Sequence, residues 1–381
     1  MNSAAEQHPD LAILVSFSGE GGVERMMLNL VNAFAGRGLR VHLLLIKTRS
    51  RHLNELHPAI KVIELGSRHT ATSLLPLIRY LRSNRPHCLL AAKDRAGRLA
   101  VVARLLARTP TRLVVRLGTN LSAALAHRSR IKLWLRRAPI RLLYPHIDRI
   151  IAVSEGVKED TVAVAGFDPG RIDVVRNPVI TARLLELAQQ AAPHPWFEDA
   201  RTQVILGAGR LTVQKDFSTL IRAFARLGEE RPCRLIILGD GRQDAQLRSL
   251  ANELNVQDLV SFPGFTENPY VYMARADLFV LSSRWEGSPN VLTEAMALGT
   301  PVVATDCPSG PREILADGRY GPLVPVGDWE ALATAMRQVL DKPPDSDSLR
   351  EAVREYAVET SASRYLEILG VTQGRSDAAV D

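Results

Sequence analysis

The sequence contains little cysteine and no long apolar run. Its three cysteines, Cys88, Cys233 and Cys307, lie far apart with no CxxC spacing, so neither a disulfide framework nor a structural zinc site is expected. No apolar run approaches the roughly 18 residues that cross a bilayer, and the opening MNSAAEQHPD lacks the basic start and apolar core of a signal peptide. We therefore expect a cytoplasmic protein with buried, reduced thiols.

Size and charge lead to two further expectations. The chain has 381 residues, 46% of them hydrophobic, and single cores stop growing at roughly 250 to 300 residues, so two domains are expected. The net charge of +7 is unevenly spread, because residues 104–149 include eleven basic residues and one acidic residue, Asp148. Such a basic strip favours an anionic partner, which could be phosphate, acidic lipid or nucleic acid.

Apolar strands alternate with helix-like segments along the chain. The first series begins with LAILVSF at 11–17, a Gly-rich turn and the helical spacing of VERMMLNLVNAF. A second series begins with QVILGAG at 203–209 and continues to PVVATD at 301–306, whereas DKPPDSDS at 341–348 is expected to be a loop. The alternation predicts an α/β fold with parallel sheets covered on both faces, and a domain boundary near residue 178.

Loops at the carboxyl ends of strands are where open α/β sheets bind ligands. The loop SFSGEGGVER places Gly19, Gly21 and Gly22 before a helix start, where the backbone could cradle a phosphate. An ordinary tight turn is an equal alternative. The loop is not a dinucleotide fingerprint, because Glu24 stands where GxGxxG requires its last glycine.

Two other loops carry charged residues. In GAGRLTVQKDF, Arg210 and Lys215 follow a strand, and two cations beside a helix start suit a diphosphate. The alternative is a solvated surface pair. In EGSPNVLTEAM, Ser288 is expected to cap a helix that starts at Pro289, with free amides near Asn290, Val291 and Leu292.

The same stretch holds two carboxylates, Glu286 before the helix and Glu294 on its second turn. Both could accept hydrogen bonds from sugar hydroxyls, including a ribose diol. The alternative is a capping acid and one surface glutamate.

Taken together, these motifs resemble those of a known family. The E-x7-E pair Glu286 and Glu294, followed by ALGTPVVATDCPSGPREIL and preceded by GAGRLTVQKDF and SGEGGVER, is similar to the retaining, nucleotide-sugar-dependent GT-B glycosyltransferases of family 4. The resemblance implies two Rossmann-like parallel-sheet domains facing across a cleft. Residues 1–178 would form the acceptor-side domain, to which a helix at about 355–372 returns, and residues 179–354 would bind the donor.

The resemblance also implies roles for individual residues. Arg210 and Lys215 would hold the donor diphosphate, Glu286 would contact the donor sugar, and Glu294 would bind the ribose hydroxyls. Other donor-side positions would be Gly21 and Gly22 at the phosphates, Gly264, Phe265 and Thr266 beside the base, and the helix start at Asn290, Val291 and Leu292. The CPSGP segment resembles that of members using UDP-linked hexoses or N-acetylhexosamines, and neither a metal nor a cofactor is expected.

One departure concerns the acceptor side. Many relatives carry a histidine where this chain reads RLGTNLS, with Arg116 and Asn120 in that region. Together with Glu24, these residues are assigned to the acceptor side. The missing histidine fits a front-face retaining mechanism in which the leaving phosphate takes the acceptor proton.

The leading interpretation is transfer of a hexose or N-acetylhexosamine to a glycan or lipid-linked acceptor in envelope polysaccharide biosynthesis. A GT-B epimerase or phosphorylase is the alternative, and a basic nucleic-acid-binding protein is a remote one. The basic strip HRSRIKLWLRRAPIRLLY at 127–144 is also expected to dock on an anionic inner leaflet, unless it is an ordinary domain helix. Pro139 is expected to break it.

Overall fold

The computed structural model describes residues 8–17, 22–48, 51–66, 71–122, 130–191, 194–199 and 201–371. The chain forms two compact units, Met1–Pro178 with Val358–Asp381, and Val179–Ala357. Each unit is built on a parallel sheet, with strand order β3-β2-β1-β4-β5-β6-β7 in the first and β10-β9-β8-β11-β12-β13 in the second. The predicted α/β class with two parallel-sheet domains is therefore confirmed.

The N-terminal unit alternates strands and helices in the predicted order. Its strands are β1 Leu11–Phe17, β2 Val41–Thr48, β3 Lys61–Glu64, β4 Cys88–Ala92, β5 Arg112–Leu117, β6 Arg149–Ala152 and β7 Ile172–Val174. Its helices are α1 Gly22–Gly36, α2 Leu74–Asn84, α3 Asp94–Ala107, α4 Arg130–Leu143, α5 Glu155–Ala165 and, from the end of the chain, α14 Val358–Leu369. Every residue of β4 is buried, because helices cover both faces of a parallel sheet.

The C-terminal unit repeats this architecture. Its strands are β8 Gln203–Ala208, β9 Cys233–Leu238, β10 Val260–Gly264, β11 Leu278–Leu281, β12 Val302–Thr305 and β13 Leu323–Val324. Its helices are α6 Ala182–Ala188, α7 Phe217–Gly228, α8 Asp244–Glu253, α9 Tyr270–Met273, α10 Asn290–Ala297, α11 Pro311–Ile314, α12 Trp329–Asp341 and α13 Ser346–Ala352. Apolar clusters flank its sheet, with Phe224 and Leu235 in one and Phe279 and Leu292 in another.

Helix α14 follows the second unit in sequence but packs in the first. Its residues Ala362, Tyr365 and Leu369 are fully buried in the same apolar cluster as β1 and α1. Ser361 Oγ donates to the carbonyl of Arg176 at 2.9 Å. Helix α14 therefore forms part of the core of the N-terminal unit.

Two local expectations are wrong. Helix α4 continues through Pro139 instead of breaking there. The next turn is held in the core by Ile140 and Tyr144, which are 4% and 1% exposed, and this burial offsets the hydrogen bond that proline cannot donate. The expected loop at 341–348 contains the start of α13, because Asp345 caps the helix by accepting from the amide of Ser348 at 2.8 Å.

Candidate functional site

The loops that follow β8, β9 and β10 are tied together by backbone hydrogen bonds. The amide of Gly209 donates to Leu238 O at 2.9 Å, and that of Gly239 donates to Gly264 O at 2.8 Å. Gly239 has a φ of 126°, and a Cβ atom there would lie 2.0 Å from the carbonyl oxygen of Gly209. Only glycine allows these loops to approach so closely, and this close approach forms a rigid edge at the ends of the strands.

Lys215 and Glu286 form a buried ion pair at this edge. Lys215 Nζ lies 2.6 Å from Glu286 Oε1, with the two side chains 16% and 9% exposed. Ser283 Oγ donates to the same carboxylate oxygen at 2.7 Å, and Ser282 Oγ donates to the carbonyl of Lys215 at 2.9 Å. The loops after β8 and β11 therefore bring together two of the three predicted catalytic residues.

The stem of Lys215 is positioned by a glycine. A Cβ atom at Gly209 would lie 2.9 Å from Lys215 Cε, so the missing side chain leaves room for the lysine to cross the loop. Arg210, the third predicted catalytic residue, lies on the same loop and is exposed. Convergence of Arg210 and Lys215 on one anion stays a prediction.

A second ion pair braces this loop, and it was missed in the sequence. Arg284 Nε donates to Asp216 Oδ2 at 2.9 Å, and Asp216 is 9% exposed. Asp216 has a φ of 46° at the start of α7 and also accepts from Thr219 Oγ1 at 3.0 Å. Aspartate tolerates this left-handed conformation better than most residues. The only hint of this role in the sequence is that Asp216 directly follows the predicted site residue Lys215.

Helix α10 carries the second carboxylate of the E-x7-E pair. Glu294 is 7% exposed, and Tyr270 Oη donates to its Oε1 at 3.4 Å. Glu294 is therefore a buried acid, which excludes the alternative of a surface glutamate. Asn290 and Val291 are half-buried in the first turn of this helix.

The expected start of this helix is corrected in two respects. The helix begins at Asn290 with Pro289 as the cap residue and without a capping side-chain hydrogen bond, so Ser288 does not cap it. The amide of Leu292 donates to Pro289 O at 3.1 Å, so the expected free amide at Leu292 is occupied, and the Leu292 side chain is fully buried.

The loop expected beside the base follows β10. Gly264 has a φ of 84°, and a Cβ atom there would lie 3.3 Å from Asp240 Oδ1. Phe265 is 45% exposed, which leaves an aromatic ring accessible next to the glycine, and Thr266 is half-buried. Contact of these residues with a base stays a prediction.

Cys307 lies close to the Lys215–Glu286 pair. Burial raises the pKa of its thiol to about 12, the negative charge of Glu286 adds to the rise, and the positive charge of Lys215 opposes it. The thiol is 2% exposed. Burial and the raised pKa therefore favour the protonated, weakly nucleophilic form of this thiol.

A second Lys–Glu pair lies in the N-terminal unit. Glu24, in the first turn of α1, is 8% exposed, whereas Lys93 is 42% exposed and its Nζ lies 3.5 Å from Glu24 Oε1. Lys93 directly follows β4 with φ 94° and ψ 149°, a combination that costs a side chain about 1 to 3 kcal/mol. This backbone conformation is not predictable from the residue type, although the position of Lys93 at a strand end was a usable signal.

Arg116 is a buried cation on the neighbouring strand, and its carbonyl accepts from the amide of Lys93 at 3.0 Å. It is 1% exposed, and its Nη2 donates to Asn177 Oδ1 at 2.7 Å. Burial lowers the pKa of Arg116 from its ordinary value, and the nearby Tyr365 hydroxyl opposes this change. The geometry between these two groups is not that of an ordinary hydrogen bond. Asn120, the remaining predicted acceptor-side residue, is half-buried just after β5.

The Gly-rich loop is described only in part. Gly21 lies outside the described residues, and Gly22 is exposed at the first position of α1. The phosphate-binding role of these glycines stays a prediction. Among the residues that the structure describes, no cluster of histidine, cysteine, aspartate and glutamate could hold a metal ion, and independence of metal also stays a prediction.

Both units match families of known proteins. Residues 20–183 match the model described as Glycosyltransferase Family 4, and residues 189–359 match that described as Glycosyl transferases group 1. The N-acetylgalactosamine-N,N'-diacetylbacillosaminyl-diphospho-undecaprenol 4-alpha-N-acetylgalactosaminyltransferase of Campylobacter jejuni is 31% identical over 360 residues, which cover 91% of this chain and 93% of the relative. The chain belongs to the GT-B glycosyltransferases.

Further relatives of this glycosyltransferase agree with the assignment. The lipopolysaccharide core biosynthesis glycosyltransferase LpsE of Rhizobium meliloti is 30% identical over 354 residues, covering 92% of this chain and 93% of the relative. The fold is similar to that of Anabaena HepE in complex with UDP and glucose, with TM-score 0.78 and 21% identity over 95% of this chain and 100% of the other. In the described part of the glycosyltransferase, no helix has the length and apolar character needed to span a membrane.

Proposed function

We propose that this glycosyltransferase is retaining and metal-independent, and that it transfers a hexose or N-acetylhexosamine from a UDP-sugar to a glycan or lipid-linked acceptor. The observation that carries the proposal is the buried pair of Lys215 and Glu286, 2.6 Å apart at the strand ends of the C-terminal unit. A lysine held in place there offers positive charge to a leaving diphosphate. The adjoining carboxylate can accept hydrogen bonds from sugar hydroxyls.

The donor-side residues divide the work between the phosphates and the two sugars. Lys215 and the exposed Arg210 bind the diphosphate oxygens, Glu286 holds the transferred sugar, and Glu294 accepts from the ribose hydroxyls. The bond between the anomeric carbon and the diphosphate breaks, and the acceptor oxygen bonds to that carbon on the same face. The acceptor proton passes to the departing phosphate, so the enzyme supplies position and charge stabilisation.

The acceptor class is inferred from the relatives. The Campylobacter jejuni relative is named for a diphospho-undecaprenol-linked glycan, and the Rhizobium meliloti relative for lipopolysaccharide core biosynthesis. A lipid-linked acceptor in envelope polysaccharide biosynthesis is accordingly proposed for this enzyme, with the protein in the cytoplasm.

A peripheral contact with an anionic membrane fits such an acceptor. Leu142 is 72% exposed near the end of α4, and Leu105 and Leu106 are 48% and 51% exposed on α3, which packs against α4. Arg141 is exposed beside Leu142. Apolar side chains could enter an interface there, and each nearby cation contributes about 1 kcal/mol at an anionic surface.

Vesicle sedimentation tests the membrane contact. Binding to anionic vesicles should fall with salt, and replacement of Arg137, Arg141 and Leu142 by serine should weaken it strongly. Equal binding to neutral and anionic vesicles would contradict a charge-directed contact. Absence of binding at low salt would favour a soluble acceptor.

The function itself is tested by a donor screen that measures UDP or GDP release over candidate nucleotide sugars, with membrane extract as acceptor. We expect UDP release that depends on the extract and persists in EDTA. The anomeric configuration of the product, read by NMR, should equal that of the donor. An inverted product, or dependence on a divalent ion, would contradict the mechanism.

The same screen separates the alternatives. Formation of an epimer from the donor alone would favour an epimerase, which the transferase names of the relatives do not suggest. A salt-dependent shift of RNA or DNA, with no stabilisation by UDP, would favour the remote nucleic-acid-binding alternative.

A further inference from the structure

Lys93 occupies a backbone conformation that glycine adopts easily and lysine does not. Its φ of 94° and ψ of 149° lie in a region almost reserved for glycine. Its amide donates to Arg116 O at 3.0 Å, and its carbonyl accepts from the amide of Gly97 at 3.0 Å. A glycine could form both hydrogen bonds with less strain. The lysine side chain at this position therefore has a use that offsets the strain.

The ammonium of Lys93 is oriented by Glu24 but is not enclosed by it. The Nζ to Oε1 distance is 3.5 Å, longer than the roughly 2.7 to 2.9 Å of a charge-assisted hydrogen bond. The carboxylate is 8% exposed and the lysine 42% exposed. An ammonium has three N–H donors, so most of its donor capacity faces away from Glu24 and can bind a ligand.

Arg116 adds positive charge to the same edge of the sheet. Among the described residues, its Nε and Nη1 atoms are buried without a hydrogen-bond partner, and its one hydrogen bond goes to the neutral amide of Asn177. A Cβ atom at Gly118 would lie 2.5 Å from Arg116 Nη1, which locates the guanidinium at the carboxyl end of β5, the strand whose Arg116 carbonyl accepts from the Lys93 amide. Two cations and one carboxylate leave a formal charge of +1.

We propose that Lys93 binds a phosphate group of the acceptor, with Glu24 orienting its ammonium and Arg116 supplying buried positive charge. The assignment of this phosphate to the acceptor rests on the proposed glycosyl transfer. A neutral sugar would not require the excess positive charge, whereas phosphate oxygens accept hydrogen bonds and carry the opposite charge. The ligand class is a phosphate ester or diphosphate, either free or lipid-linked.

A purely structural role for the ion pair has different consequences. A partly exposed ion pair contributes little to stability, so a structural Lys93 could be replaced by glycine with a gain in stability and no change in binding. A ligand-binding Lys93 should give the same gain in stability together with a loss of affinity. Stability and affinity measured on one variant therefore separate the two roles.

The experiment is calorimetric titration of inorganic pyrophosphate into the full-length protein with saturating UDP present. We expect Lys93→Gly to weaken pyrophosphate binding at least tenfold while the Tm rises by about 2 to 4 °C. Lys93→Met should show the same loss of affinity without the rise in Tm, because it keeps the strain. The matched control is Arg108→Gly, at another positive φ of 56° at the end of α3, which should raise the Tm and leave the affinity unchanged.

Pyrophosphate affinity retained in Lys93→Gly, or no pyrophosphate binding to the wild type with UDP present, would overturn the proposal. UDP affinity measured on the same proteins keeps the donor proposal separate: a wild type that fails to bind UDP refutes the donor site, whereas a Lys93-dependent pyrophosphate affinity would still support the anion site. Vesicles containing polyprenyl diphosphate or polyprenyl alcohol distinguish the sources. If binding to the polyprenyl diphosphate vesicles, but not to the polyprenyl alcohol vesicles, depends on Lys93, the bound phosphate is lipid-linked. If pyrophosphate binding depends on Lys93 but vesicle binding does not, the bound phosphate belongs to a soluble acceptor.

Discussion

The two units each place a lysine against a buried glutamate at the carboxyl ends of their strands, but the two pairs differ. Lys215 and Glu286 are 2.6 Å apart and 16% and 9% exposed. Lys93 and Glu24 are 3.5 Å apart, and the lysine is 42% exposed. The C-terminal pair is closed and supported by Ser283, whereas the N-terminal pair leaves its ammonium accessible.

The difference follows from what holds each lysine. Lys215 lies across Gly209, and the Lys215–Glu286 contact between the loops after β8 and β11 holds both groups in place. Lys93 is held by a strained backbone and lies 3.5 Å from the carboxylate of Glu24. Preorganised charge in a dry site stabilises a transition state efficiently, whereas a half-exposed ammonium is suited to capturing an anion.

The largest effect is expected from Lys215→Ala. The substitution removes the cation from the leaving diphosphate and leaves Glu286 as a buried, unpaired acid, so the barrier should rise by about 2 to 4 kcal/mol. UDP release under saturating donor measures it. The matched control is Lys342→Ala, an exposed lysine after α12, which should retain wild-type turnover. Wild-type turnover in Lys215→Ala would refute the donor-site assignment.

The sequence predicted the position of this pair but not the pairing. Apolar runs identified the strands, and the loops after them could be named because parallel strands end at one edge. Lys215 and Glu286 are 71 residues apart, and no local sequence pattern predicts a contact between their side chains. The backbone strain at Lys93 could not be predicted either, because it arises at the junction between β4 and α3.

Other errors have local physical causes. Pro139 lies inside α4 because the following turn is buried, and burial cannot be read from proline propensity alone. The residue type of Ser288 predicts a helix cap, whereas the path of the chain makes Pro289 the cap residue. The pair of buried Asp216 and exposed Arg284 cannot be recognised in the sequence, because each residue looks like an ordinary surface charge there.

The next effect separates the two carboxylates of the E-x7-E pair. Glu286→Gln should lower kcat about ten- to a hundredfold, because a hydrogen bond to a charged group contributes about 1.5 to 3 kcal/mol and Glu286 is proposed to contact the reacting sugar. Glu294→Gln should mainly raise the donor KM. Steady-state kinetics measure kcat and donor KM for both variants, with Glu330→Gln, at an exposed glutamate, as the control. Small, equal effects would mean that both acids are structural.

A smaller effect is expected from Arg210→Ala. Arg210 is exposed, so its removal should leave the Tm unchanged and raise the donor KM about tenfold, the cost of one hydrogen bond to a charged group. The control is Arg222→Ala, an exposed arginine on α7, which should change neither quantity. An unchanged donor KM in Arg210→Ala would assign the diphosphate contact to Lys215 alone.

The smallest effect concerns Cys307 and tests how dry the closed pair is. Burial raises the pKa of this thiol from its ordinary value of 9.0 to about 12. The unfolded chain therefore loses this proton first as pH rises, so the stabilisation by the protonated thiol is complete below pH 9.0 and is lost between pH 9.0 and about 12. Urea unfolding gives the free energy of unfolding of the wild type and of Cys307→Ala at pH 8 and pH 10.5. The decrease in this free energy between the two pH values should differ between the two proteins by about 1 to 2 kcal/mol. The loss should be larger for the wild type, while Cys88 and Cys233 contribute equally to both proteins. Parallel losses would show that water reaches the thiol, and the contrast between a closed and an open Lys–Glu pair would then be weaker than the two distances indicate.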